Sequence, residues 1–308
     1  MFVLTRKCCF KQNSKFPQNF QAWRHYANSA EELEKHRQKV MSKGLPKVKP
    51  ITGVKHIFLI ASGKGGVGKS TTAVNIATAL KVLQPNKNVG LLDADVFGPT
   101  IPLMMNLNES PILNQDNLME PLINYGVKCM SMGFLITESS AVIWRGLMVM
   151  QALDKLLRQV HWGSVDYLII DTPPGTGDTH LSLVQNIPIS GVVLVTTPQI
   201  AALNVTRRGA VMFQKLKVPI VGIIENMSYI KCPACSNKVH IFGSATQSIA
   251  EEFGISIMAH IPLKQKITDS MDKGVPIVIS DPLSTEAEAY KNVGNSLIKF
   301  VNITANEL

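Results

Sequence analysis

Short apolar runs alternate along the chain with longer stretches of helical period, and the alternation begins near Ile51. His56 to Ala61, Val89 to Leu92, Tyr167 to Ile170, Gly191 to Thr196, Ile220 to Ile224 and Ile255 to Ile261 carry few polar interruptions, the pattern of strands buried on both faces. Most are followed by a stretch of helical period, of which Lys69 to Leu83 is the clearest. Apolar strands separated by helices predict an α/β fold, a three-layer sandwich around a mostly parallel sheet, spanning 51–303. Ligands of such sheets sit outside the carboxyl ends of the strands. Ahead of the domain, residues 27–50 read as a charged helix (Glu31 to Met41) and an extended linker (Gly44 to Pro50).

Composition changes this picture at one end. Five of the nine net positive charges lie before Glu31, on Arg6, Lys7, Lys11, Lys15 and Arg24, with no Asp or Glu among them. A basic, acid-free leader with Phe16, Phe20 and Trp23 at helical spacing reads as a mitochondrial presequence over residues 1–26, cut after Tyr26, and places the protein in the mitochondrial matrix. The rest of the chain carries no basic run interleaved with aromatics, so no nucleic-acid partner is expected. No apolar run reaches the roughly 18 residues that a membrane span needs. Five cysteines are too few for a disulfide scaffold.

The chemistry starts directly after the first apolar run, at Gly63-Lys64-Gly65-Gly66-Val67-Gly68-Lys69-Ser70-Thr71. Glycines let the backbone wrap phosphates and turn several N–H groups inward at a helix start, where the dipole also favours anions. Lys69 then reaches the β and γ phosphates of ATP, and the Ser70 hydroxyl is offered to Mg²⁺. A strand before and a helix after make this a full P-loop rather than an ordinary glycine turn. Two further strands end in carboxylates, Leu91-Leu92-Asp93-Ala94-Asp95 and Tyr167-Leu168-Ile169-Ile170-Asp171. Asp171 takes the metal-holding role of a Walker B aspartate. Asp95 is the candidate for orienting the attacking water, with Asp93 an alternative; a strand-end aspartate that only caps a turn is the bland reading.

Cys232-Pro233-Ala234-Cys235 sets two thiols on one tight knuckle, half of a metal site. The pair is open to three readings: an iron–sulfur cluster, zinc, or a redox dithiol. Cys129 reads as a small core residue; His240 lies close in sequence and is open to two readings, a further ligand or a strand-end or loop histidine, while a symmetric dimer would complete the count with Cys232 and Cys235 from each copy.

The early Lys64 resembles the deviant Walker A group, in which that lysine crosses a dimer interface to the partner's nucleotide. Adding Asp93 to Thr100, Trp144 to Met148, Asp171 to Asp178, Glu225 to Ser228 and the Cys232–Cys235 knuckle, residues from about Met41 to Tyr290 resemble the Mrp/Nbp family of iron–sulfur P-loop proteins. With the leader, the likeness is greatest to its mitochondrial branch, which is implicated in assembly of respiratory complex I. The resemblance implies a homodimer that binds a [4Fe–4S] cluster between subunits and delivers it to apo-proteins, complex I subunits among them, with ATP binding or weak hydrolysis as the switch. It also implies that Asn226 contacts adenine. The chain departs from the family at Ile200 and Val205, where the pattern has aspartates. The rival readings are a MinD-like positioning ATPase, which needs a basic amphipathic C-terminus that this chain lacks, and a zinc-stabilised P-loop ATPase.

Overall fold

A computed structural model describes residues 48–136 and 146–306. The leader, the charged helix, most of the linker, and Trp144 and Arg145 lie outside them. The strands are β1 (Val54–Ala61), β2 (Val89–Asp93), β3 (Leu122–Asn124), β4 (Val127–Ser131), β5 (Val165–Asp171), β6 (Gly191–Thr196), β7 (Ile220–Glu225), β8 (Ile230–Lys231), β9 (Lys238–Val239) and β10 (Ile257–His260). The helices are α1 (Lys69–Leu83), α2 (Ile101–Met104), α3 (Gly146–Arg158), α4 (Asp178–Asn186), α5 (Ile200–Lys215), α6 (Thr246–Phe253), α7 (Gln265–Asp272), α8 (Ile277–Ser280) and α9 (Thr285–Asn306).

Eight strands form one sheet in the order β10-β7-β6-β1-β5-β2-β4-β3. All neighbours run parallel except the edge pair β3–β4. β2, β5 and β6 are buried at every position, so both of their faces must be covered, and their apolar runs follow from that burial. The arrangement is the three-layer α/β sandwich. β1 lies at the centre between β5 and β6, and its carboxyl end feeds the glycine loop and α1. In register, Ile60 stands beside Asp171 and Asp171 beside Asp93, so three strand ends converge on one point.

The sequence reading passes over the β3–β4 hairpin. Lys128 interrupts the apolar run of β4, and the turn is Tyr125-Gly126, with φ of 50° and 74°. Two successive positive φ values give the mirror-image turn that suits the twist of a hairpin, usually written Asn-Gly. Here the asparagine stands one residue early, as Asn124, which masks the signal. Cys129 lies wholly buried in β4, where burial drives its thiol far above the usual range, as a small core residue.

The last linker residues lie on the surface of the domain, where Arg158 donates to the carbonyls of Lys49, Pro50 and Asn186. At the other end, α9 buries Ala287, Tyr290, Val293, Leu297 and Val301, a stripe of helical period turned into the core. Gly294 brings this helix onto α1, because a Cβ there would stand 2.9 Å from Leu83. No helix among the described residues is long and apolar enough to cross a membrane.

Candidate functional site

The loop from Ser62 to Gly68 leaves the end of β1 and turns into α1, with Gly66 and Gly68 at φ of 79° and 83°, a region side chains rarely enter. Gly68 has a second reason to be glycine. A Cβ on it would stand 2.2 Å from Asn226 Nδ2, which donates to the Val67 carbonyl at 2.8 Å. Asn226, at the end of β7, therefore braces the loop from behind.

Lys69 is 6% exposed and its ammonium pairs with Oδ1 of Asp171, which is completely buried. Asp171 Oδ2 is shielded from water and has no partner among the described residues. The Ser70 hydroxyl lies 3.3 Å from the same ammonium, and a free carboxylate oxygen and a hydroxyl gathered about one lysine are a fit for the donor set of Mg²⁺. Bound there, Mg²⁺ would supply neutralisation of phosphate charge, and Ser70 and Asp171 are the residues that would hold it.

The two aspartates after β2 differ. Asp93 is a buried hub: it accepts from the Asp95 N–H at 3.1 Å, the Ile101 N–H at 3.3 Å and the Ser131 hydroxyl at 3.0 Å. Burial, then the charge of Asp171, raises its carboxyl to about 7. Asp95 is half-buried and lines a cavity of about 230 Å³ over the loop, with Lys64, Lys69, Ser70, Thr71, Gly98 and Thr100. Burial raises its pKa, while Lys69 and the amides of Gly98 and Phe97 pull it back. That cavity shares Asp95, Gly98 and Pro174 with a second one of about 850 Å³, bounded by α3, α4 and Pro173. Another opening, of about 710 Å³, lies at the amino end of β1 and involves none of these groups.

His180, in the first turn of α4, carries no signal in the sequence beyond its place just after Thr176-Gly177-Asp178. Thr172 donates its hydroxyl to the Ile60 carbonyl, so it accepts from His180 Nε2–H at 3.0 Å, leaving Nδ1 bare and buried. Burial, then the charge of Lys69, lowers this histidine to about 4. The unfolded chain takes up the proton near pH 6.5 and the folded one only near 4, so stability falls as pH drops through that window. The wild type is expected to lose about 3 kcal/mol between pH 7.5 and 4 through this group, and His180→Gln to flatten that slope; urea midpoints across the range measure it.

Lys64 is exposed and pairs with no carboxylate among the described residues. Near it lies one departure from the family pattern: a Cβ on Gly63 would stand 2.6 Å from the Val205 backbone carbonyl carbon and 2.9 Å from its Cγ1, so the α5 backbone and an apolar side chain both abut the loop there. Ile200 is 69% exposed at the start of α5.

The cysteine knuckle is the turn of a small hairpin separate from the main sheet. β8 and β9 form an antiparallel hairpin, closed by Cys232 N–H to the Asn237 carbonyl at 2.9 Å and Ser236 N–H to the Cys232 carbonyl at 2.8 Å. Both thiols are free, Cys235 exposed and Cys232 partly so. The backbone amides of Cys235 and Ala234 point at Cys232 and hold its thiol below the usual range, the arrangement that favours a thiolate ligand. His240 does not join them; its Nδ1 donates to the Ser228 carbonyl at 3.0 Å. Among the described residues no three metal-ligating side chains cluster.

A glycine loop between strand and helix, with two carboxylate-ended strands alongside in a mostly parallel sheet, defines a P-loop nucleotide-binding fold. Residues 53–298 match the family described as the NUBPL iron-transfer P-loop NTPase, of the ParA type, and the chain belongs to that family. It is 52% identical to the iron-sulfur cluster transfer protein NUBPL of Mus musculus, over 88% of this chain and 85% of that protein. It is 49% identical to the iron-sulfur protein required for NADH dehydrogenase, mitochondrial, of Arabidopsis thaliana, over 80% of this chain and 79% of that one. Among solved structures, the ADP-bound nucleotide-binding protein of Archaeoglobus fulgidus is similar at a TM-score of 0.63 and 33% identity, covering 73% of this chain and 88% of that one.

Proposed function

We propose that the protein is an ATP-dependent iron–sulfur cluster carrier of the mitochondrial matrix, which holds a [4Fe–4S] cluster between two copies of itself and delivers it to apo-proteins, complex I subunits among them. The observation that carries this reading is the knuckle: two accessible thiols on one hairpin, amide donors favouring the thiolate, and no third ligand within reach among the described residues. A cluster needs about four thiolates, and a two-fold axis supplies them from two chains. The names of the mouse and plant relatives support the cargo and the mitochondrial, complex I setting. A membrane-positioning role draws no support from α9, whose apolar stripe is committed to the core.

The nucleotide end follows from the same geometry. The cradle presents Lys69 already paired with Asp171, so each charge neutralises the other before ATP arrives. An incoming triphosphate draws Lys69 away and leaves Asp171 free to face the metal side of the site. Lys64, unpaired by any carboxylate among the described residues, reaches outward to the nucleotide of the second copy. Asn226 keeps Nδ2 on Val67 and offers its remaining amide atoms to adenine. The switch is thus a swap of ion pairs beneath Asp95.

Anaerobic reconstitution with iron and sulfide, with iron counted and mass measured by light scattering, tests the proposal. About two irons per chain on a dimer is expected. A monomer holding a full cluster, or a dimer that takes zinc and no iron, overturns it.

A further inference from the structure

The hydroxyl of Thr100 is buried, has no hydrogen-bond partner among the described residues, and belongs to a residue that lines the phosphate cavity with Lys69, Ser70 and Asp95. Thr100 precedes α2, where a threonine ordinarily uses its hydroxyl to accept from the second or third N–H of the helix. It makes no such bond. The second helical residue is Pro102, which has no N–H, and the first N–H, on Ile101, is taken by Asp93. Capping therefore does not account for the hydroxyl.

Its backbone is held in place. Asp93 accepts from Asp95 N–H and from Ile101 N–H, clasping both ends of the segment that carries Asp95 and Thr100, and is itself fixed by Ser131. A hydroxyl positioned that firmly and left without a partner in a dry wall is costly unless something entering the cavity takes it. The cavity already presents a P-loop lysine and serine, so what enters is a phosphate.

We propose that Thr100 is a nucleotide-discriminating residue: its hydroxyl donates to an oxygen of the terminal phosphate, so that the segment Asp95–Thr100 senses ATP and not ADP. This rests on the nucleotide half of the reading above and is independent of the cluster half.

The test is binding of fluorescent ADP and of a non-hydrolysable ATP analogue, with Mg²⁺, to the iron-free full chain carrying Thr100→Val or Thr100→Ser. Thr100→Val keeps the shape and removes the donor; it is expected to weaken the ATP analogue about tenfold, the contribution of a hydrogen bond to a charged group, with ADP unchanged. Thr100→Ser is expected to restore the preference. Equal loss for both nucleotides, no loss for either, or a serine variant no better than valine overturns the assignment. Thermal melting of the valine variant serves as the fold control, and a midpoint below the parent's assigns the hydroxyl a structural role and overturns the proposal. Failure of the parent to bind either nucleotide sinks the P-loop reading itself, whereas iron retained at Cys232 and Cys235 in all variants leaves the carrier reading standing.

Discussion

Replacing Cys232 and Cys235 together by alanine is expected to reduce reconstituted iron to background while leaving ATP affinity within about twofold. Both thiols lie on the surface of a short hairpin, and the bonds that shape it run through backbone atoms, Cys232 N–H to Asn237 and Ser236 N–H to Cys232, which alanine keeps. Surface changes of this kind usually alter stability by no more than about 0.5 kcal/mol, so a lost cluster would not be a lost fold. Each single variant is expected to fail as completely as the double, since the proposed symmetric dimer would then offer two thiolates instead of four. Cys129→Ser supplies the contrast: that thiol is buried in β4 and held protonated, so the variant retains iron even if it is less stable. Iron equal to the parent in the double variant would end the cluster assignment, and iron lost equally on changing Cys129 would move the site elsewhere.

The parts of this molecule legible in its sequence are those where one local pattern has one physical cause. The glycine loop is such a part: Gly66 and Gly68 need positive φ, and few demands other than a phosphate select Gly-Lys-Gly-Gly-Val-Gly-Lys-Ser. So are β2, β5 and β6, whose apolar runs follow from burial on both faces. What stayed hidden depends on contacts far apart in sequence. Nothing local separates Asp93 from Asp95; only Ser131 and Ile101, brought in by β4 and α2, turn the first into a buried hub. His180 acquires its bare nitrogen because Thr172 spends its proton on Ile60 in a neighbouring strand. Nothing local marks Thr100 either; it stands just before α2 yet its hydroxyl makes no bond to that helix, where Pro102 has no N–H and Asp93 takes that of Ile101.

Asp95→Ala is expected to slow ATP hydrolysis a hundredfold or more, in line with roughly 10²–10⁴ for a positioned proton acceptor, with nucleotide affinity nearly unchanged. The expectation follows from what the two neighbouring carboxylates have left to give. Asp93 already takes three donors and has no exposed oxygen, so it can orient nothing in the cavity. Asp95 borders the cavity over the glycine loop, where the proposed terminal phosphate would lie, its carboxylate steadied by the amides of Gly98 and Phe97 but half open to the cavity. An acceptor held in that way can fix a water in line with the phosphate without being a strong base. Asp93→Ala should instead act through structure: it leaves the Ser131 hydroxyl and the Ile101 N–H without a partner, each costing about 1–3 kcal/mol when buried. Affinity and hydrolysis would then fall together in the Asp93 variant and separate in the Asp95 variant. Single-turnover hydrolysis beside equilibrium binding distinguishes the two, and an Asp95→Ala protein that hydrolyses ATP at the parent rate would hand the water to another group.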